Sequence, residues 1–144
     1  MNKKILQAQQ ILNDLFDKQI QKKDKKTQEK LGIVHTPIEI VEFMIDSQDD
    51  VTKKEYNLSI YDRDVRIFDP FLGTGTFIVV YLCKLAEKRP ENLEYKYEND
   101  VYANEILKET YDIAKENIEN VFFELSGIKK EFKNINNVDT FDSY

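Results

Sequence analysis

Cysteine is nearly absent from this 144-residue chain: Cys83 stands alone. That excludes an internal disulfide framework and a cysteine zinc cluster, and a lone thiol is expected to pack on a buried helix face. Histidine is as scarce, with His35 alone and no set of metal-ligating residues to pair it with. No apolar run approaches the roughly 18 residues that a membrane helix needs. The start, Met1-Asn2-Lys3-Lys4, leads into an amphipathic segment instead of a signal-peptide core. These absences lead us to expect a soluble, cytoplasmic protein with no membrane partner. Positive charge is in the minority, 21 Lys and Arg against 27 Asp and Glu for a net charge of −6, which argues against a chain that coats nucleic acid over its whole surface. The imbalance is uneven, because residues 1–30 hold eight Lys against four acids. A basic arm therefore precedes an acidic body, and the arm reads either as a solvated helix end or as a phosphate-contacting segment.

What is present is globular. Hydrophobic residues make up 41% and charged residues 33%, and the length allows one domain of roughly 100 to 200 residues. Ile5, Ala8, Leu12, Leu15 and Phe16 recur at helical spacing and predict an amphipathic first helix that fades in the polar tract Gln21 to Lys30. Thr36, Pro37 and Glu39 read as the cap, first position and capping-box acid of a second helix, whose buried face is Ile38, Val41 and Ile45. The polar stretch Ser47 to Asp64 reads as a connection. Val65 to Phe68 predicts a strand that runs through a glycine turn into a helix carrying Phe77, Ile78, Tyr81, Leu82 and Leu85. A loop is expected over Pro90 to Asn99, then a second strand at Val101 to Ala103. Leu107, Tyr111, Ala114, Ile118, Val121, Phe122 and Leu125 predict a long helix, and Ile135 to Val138 a weak third strand. Strands alternating with helices imply an α/β fold with a parallel, doubly wound sheet that binds ligands at the carboxyl ends of its strands. Most of the 17 Tyr and Phe residues read as core, whereas Tyr56, Tyr61, Tyr95 and Tyr97 read as better exposed.

The chemistry concentrates in Asp69-Pro70-Phe71-Leu72-Gly73-Thr74-Gly75-Thr76-Phe77, between a strand and a helix. Its glycines can serve turn geometry alone, or they can bring backbone N–H groups close to a ligand. A Walker phosphate loop needs a Gly-Lys-Ser/Thr ending, and no Lys follows Gly75. A dinucleotide fingerprint needs a third glycine where Ile78 stands, and would set pyrophosphate beside the Asp69 carboxylate. S-adenosylmethionine has no phosphate, and its ammonium and sulfonium groups are attracted to an acid at a strand end.

That loop resembles the cofactor loop of DNA adenine amino-methyltransferases of restriction-modification systems. Two further segments agree in order. Gly32-Ile33-Val34-His35-Thr36-Pro37-x-Glu39-Ile40-Val41-x-Phe43-Met44 resembles the segment before the loop, and Ala103-Asn104-Glu105-Ile106 the strand end where an acid holds the ribose hydroxyls. The helix with Tyr111-x-x-Ala114 and Asn117-Ile118-Glu119 is similar to large single-chain enzymes that fuse a helicase-like motor to such a methyltransferase. The resemblance implies a Rossmann-like, S-adenosylmethionine-dependent methyltransferase sheet, present in part, with N-terminal helices: a helix and Lys-rich linker over 1–30, then the cofactor-binding half over 31–144. It implies S-adenosylmethionine as cofactor, held by His35, Thr36 and Pro37 at the methionine end. Asp69, Pro70, Phe71, Gly73, Thr74, Gly75, Thr76 and Phe77 would form the central loop, with Asn104, Glu105 and Ile106 at the ribose. Asp139 and Phe141 would meet the adenine ring. His35 is expected as a neighbour of the loop, not as a catalytic base.

The family also carries an Asn/Asp/Ser-Pro-Pro-Tyr/Phe tetrapeptide that receives the target adenine. None occurs here, since the prolines are Pro37, Pro70 and Pro90. No catalytic residue is therefore assigned, and the chain is expected to be part of a longer enzyme, a split gene product or a degraded one. Its partners would be double-stranded DNA, reached mainly through other segments with help from the Lys-rich arm, and the missing half or another restriction-modification subunit. A bare edge on the first strand would favour self-association when the chain is alone. A cofactor-binding or interaction module without methyl transfer, and a nucleotide-binding α/β domain, are the alternatives.

Overall fold

The computed structural model describes residues 2–23 and 35–142. Gly32, Ile33, Val34 and the end of the polar tract lie outside them. In chain order the elements are α1 (Lys3–Lys23), α2 (Ile38–Tyr56), β1 (Ile67–Asp69), α3 (Thr76–Lys88), a 3-10 turn at Pro90–Asn92, α4 (Leu93–Asn99), β2 (Val101–Asn104), α5 (Lys108–Ser126), β3 (Ile135–Asn136) and a 3-10 turn at Thr140–Asp142. The strands form one sheet in the order β1-β2-β3, parallel throughout. The α/β architecture with a parallel sheet is the one expected. Among the described residues β1 pairs on one side only.

Helix α3 is the centre of the core. Ile78, Val79, Val80, Tyr81, Leu82 and Leu85 are all fully buried, so this helix is apolar around most of its circumference, as a helix enclosed by neighbours must be. Helices α1, α2, α4 and α5 all pack against it. Each large side chain withdrawn from water contributes about 1.5–3 kcal/mol, so α3 and its neighbours account for most of the fold's driving force. Cys83 is buried in α3, and burial pushes its thiol up to about 11.

Several local expectations need correction. The first helix buries Ile5, Gln9, Asn13 and Phe16, while Leu15 is exposed and Ala8 lies outside; its inner face is half polar because it meets hydroxyl groups. Thr36 does not cap the second helix. Pro37 itself is the N-cap, extended at φ −54 and ψ 143, with no side-chain cap. Its carbonyl accepts the N–H groups of Ile40 and Val41, which leaves Thr36 one residue too early to cap.

That helix also runs on to Tyr56, through half of what reads as a connection. The reason is Asp49, only 3% exposed, whose carboxylate accepts from Ser59 Oγ and the Ile60 N–H and pairs with Lys53. A polar residue thus occupies an inner position of the helix and stitches the following turn to it. The stretch Pro90 to Asn99 is not a loop but a 3-10 turn and the short helix α4. Leu93 and Tyr97, four apart, give α4 its buried side, and Tyr97 stacks on Phe122 at 3.8 Å between ring centroids. Tyr61 and Tyr97 are consequently core residues, at 2% and 1% exposure, while Tyr56 is indeed exposed. Lys96, fully buried, donates to the carbonyls of Asp62 and Val65 and pairs with Asp100, fixing the chain just before β1.

Burial would raise the Asp49 carboxyl, but its bonds to Ser59, Lys53 and Ile60 hold it below the ordinary value. Its contribution to stability is therefore present above the unfolded-state pKa and lost as pH falls through the lowered folded one. We predict that Asp49→Ala costs roughly 2 kcal/mol in urea denaturation at pH 7, and that the gap to the wild type narrows below about pH 4; an unchanged midpoint contradicts this account of the helix end.

Candidate functional site

The parallel register creates the site. Asp69, the last residue of β1, stands beside Ala103 of β2, and Glu105 follows directly after the end of β2. Two acids thereby meet at the carboxyl ends of adjacent strands. Leu72 N–H donates to the Asn104 carbonyl and Glu105 N–H to Asn136, so the loop after β1 and the end of β3 are both tied to this corner.

A cavity of about 400 Å³ opens there. Among its lining are His35, Thr36, Asp69, Gly73, Thr76 and Glu105, together with Pro70, Phe71, Phe77, Ile106 and Asp139. The other residues named from the sequence lie around it. Pro37 starts α2. Thr74 is fully buried behind the loop, Gly75 caps α3, and Asn104 reaches Thr140 Oγ1. Phe141 is exposed with its ring 5.7 Å from that of Phe71. Sequence reasoning missed Val41, Met44, Leu72, Leu107, Thr110, Val138 and Thr140, which also line the cavity. Val41 was legible as a core position and, with Met44, as part of the segment before the loop, and Thr140 as a neighbour of Asp139.

The loop is built on two left-handed glycines, Gly73 at φ +60 and Gly75 at φ +97, a conformation costly for other residues. Space enforces the same choice, since a Cβ on Gly75 would meet the Ile118 side chain at 3.2 Å. The Asp69 carboxylate accepts the Phe71 N–H at 3.1 Å, which turns the chain sharply out of β1. Thr140 Oγ1 donates to the Pro70 carbonyl at 2.6 Å and ties the segment after β3 to the same turn.

The electrostatics of the corner are unusual. Glu105 is 8% exposed, and burial, reinforced by the negative charge of Asp69, lifts its carboxyl to about 7 against the opposing pull of the Gly73 N–H. Burial likewise raises Asp69, offset in part by the Phe71 N–H. Glu105 Oε2 is buried with no hydrogen-bond partner among the described residues. An acceptor left without a donor in this way costs about 1–3 kcal/mol. A cation or a pair of hydroxyl groups placed in the cavity would relieve both that cost and the repulsion between the acids. Among the described residues no group of His, Cys, Asp and Glu could hold a metal ion, and no helix is long and apolar enough to cross a membrane.

The corner thus joins a glycine turn to acids at two consecutive strand ends of a parallel α/β sheet. The chain belongs to the N-6 DNA methylase family, whose model matches residues 7–144. It is similar to DrdV in its complex with DNA, at 37% identity and a TM-score of 0.87 over 94% of this chain and 13% of that one. It is also similar to the ATP-dependent Type ISP restriction-modification enzyme LlaBIII bound to DNA, at 42% identity and a TM-score of 0.77 over 94% of this chain and 10% of that one. A nuclease-deletion mutant of the Type ISP restriction-modification enzyme LlaGI, in complex with a DNA substrate mimic, gives 42% identity and a TM-score of 0.73 over 77% of this chain and 10% of that one. The chain thus corresponds to a small part of the length of these proteins. No curated protein matches it. The resemblance to DNA adenine amino-methyltransferases of restriction-modification systems is borne out at the level of the family.

Because the folded-state pKa of Glu105 is raised, the folded protein holds a proton that the unfolded chain releases between about pH 4.5 and about 7. Folding stability therefore falls as pH rises across that window. Glu105→Gln is predicted to flatten the fall and to leave the variant more stable than the wild type at pH 8, as read by urea midpoints; parallel pH profiles for the two proteins contradict it.

Proposed function

We propose that this chain binds S-adenosylmethionine in the cavity between Asp69 and Glu105, as the cofactor-binding part of a DNA adenine methyltransferase in a restriction-modification enzyme. The observation that carries the reading is the buried, unpartnered Glu105 Oε2 at a partly apolar hollow that Asp69 also lines. Such a site rejects phosphates and favours a ligand that brings hydroxyl donors and positive charge without them. S-adenosylmethionine, when bound, supplies a methyl group on a positively charged sulfur.

In this reading each part of the corner has one task. Glu105 accepts the ribose hydroxyls, with Asn104 and Ile106 shaping the strand end beside it. Asp69 and the turn through Pro70, Phe71, Gly73, Thr74, Gly75, Thr76 and Phe77 hold the centre of the ligand, and the Asp69 carboxylate attracts its cationic end. His35, Thr36 and Pro37 border the methionine portion. Asp139 accepts from the adenine amino group, and Phe141 with Phe71 covers the ring.

Transfer to DNA needs more than this corner. The chain has Pro only at positions 37, 70 and 90, so it holds no Asn-Pro-Pro-Tyr-type tetrapeptide to receive an adenine taken out of the duplex. Methyl transfer is therefore expected only when a segment carrying that tetrapeptide is supplied, and DNA contacts come mainly from other segments, with the Lys-rich N-terminal arm contributing phosphate contacts. That same absence favours, as a second reading, a cofactor-binding module without its own activity.

Calorimetry tests the proposal. The chain is expected to bind S-adenosylmethionine and its demethylated product, with Asp69→Asn and Glu105→Gln each weakening binding about tenfold or more. Binding of NADH or ATP without any response to S-adenosylmethionine would overturn it.

A further inference from the structure

Helix α1 points buried amides, not apolar groups, at the back of the glycine loop. Gln9 and Asn13 are 2% and 1% exposed, one turn apart on the face that also buries Ile5 and Phe16. The Gln9 amide nitrogen lies 3.0 Å from Thr74 Oγ1 and 3.1 Å from Thr76 Oγ1. Asn13 Nδ2 donates to Thr76 Oγ1 at 2.8 Å, and the Thr74 hydroxyl donates to Asn13 Oδ1. From the opposite side Asn117 of α5 donates to Gln9 Oε1 at 2.6 Å and to the Thr74 carbonyl at 3.1 Å. Every polar group of this small network has a partner within it, so the network specifies one arrangement instead of merely tolerating burial.

The threonine it grips is the one residue between the two left-handed glycines. Glycine flanks leave a loop with many accessible conformations, and of its residues Gly73 and Thr76 line the cavity. A second contact runs in parallel. Asp17 Oδ1 of α1 lies 2.6 Å from His35 Nδ1, Phe16 meets the His35 ring edge-on at 5.5 Å, and His35 Nε2 lies where a Cβ on Gly73 would come within 3.4 Å of it. Helix α1 thus touches the loop directly through two amides and indirectly through the histidine that closes on its front.

We propose that α1 belongs to the ligand site as its rear wall: Gln9 and Asn13 are positioning residues that hold the Gly73-Thr74-Gly75-Thr76 turn in its binding shape, and Asp17 positions His35 against it. The proposal rests on the reading of the cavity as the S-adenosylmethionine site. A helix needed only for stability would be served as well by leucines at positions 9 and 13 facing apolar groups in place of Thr74 and Thr76, since replacing both partners of a buried hydrogen bond by apolar groups of the same shape is nearly neutral. The amides instead supply an order that the glycines cannot supply for themselves.

The test compares Asn13→Leu and Gln9→Leu with Ile5→Ala, which removes apolar packing of the same helix without touching the loop. Hydrogen exchange of the amides of residues 73–76 and calorimetric affinity for S-adenosylmethionine are read together with thermal midpoints in the full chain. Asn13→Leu and Gln9→Leu are expected to speed loop exchange about tenfold and weaken binding by a similar factor, whereas Ile5→Ala lowers the midpoint and leaves both readouts at wild-type values. Asp17→Asn, at a half-exposed position, is expected to weaken binding with little change in midpoint. Loop exchange that responds equally to Ile5→Ala and Asn13→Leu, or to neither, overturns the positioning role. If the wild type binds no S-adenosylmethionine while the loop exchange still separates the variants, the positioning stands and the cofactor reading fails.

Discussion

Two carboxyl groups held side by side at the ends of parallel strands set the terms for the rest of this structure. Register alone brings them together: with Asp69 opposite Ala103, the acid that follows Asn104 must land next to it. Water would screen the pair, but the corner excludes much of it, and Glu105 is driven toward its neutral form. The folded chain therefore carries a local cost, concentrated where the loop, β2 and the segment after β3 converge. Such a cost is tolerable at a binding site, because a ligand of the right charge and hydrogen-bonding pattern removes it.

The surroundings are arranged to keep that corner in place. The largely buried α3 anchors the end of the glycine loop, Lys96 fixes the chain entering β1, and Thr140 ties the segment after β3 to Pro70. Helix α1 adds a polar wall behind the loop. The glycines give the turn the freedom it needs to approach a ligand, and the amides of Gln9, Asn13 and Asn117 take that freedom away again on the side facing the protein.

Much of this was legible in the sequence where one physical signal acted alone. The helix Lys108–Ser126 follows from a sustained apolar spacing, and the strand, turn and helix around Gly73 and Gly75 from a β-type run broken by glycines. The acids at Asp69 and Glu105 were visible as acids at strand ends. Signals that depend on distant partners were not legible. Gln9 and Asn13 look like the polar face of an amphipathic helix until Thr74, 61 residues from Asn13, is folded against them. Asp49 looks like a surface acid until Ser59 and Ile60 donate to it. Helix α4 was hidden because its buried side has only two apolar residues, Leu93 and Tyr97, beside the charged Lys96. The capping of α2 was misplaced by one residue, since a proline in extended conformation can itself occupy the N-cap.

The central claim is that Glu105, half protonated near pH 7 and with Oε2 lacking a hydrogen-bond partner among the described residues, becomes a fully ionised acceptor when the ligand binds. Titration of S-adenosylmethionine into the chain at pH 7, in two buffers that differ in ionisation enthalpy, measures the protons exchanged on binding. A carboxyl that titrates at about 7 when free and well below it when bound releases up to roughly half a proton. The account predicts that release in the wild type relative to Glu105→Gln. Tight binding with the same proton count in both proteins would contradict it.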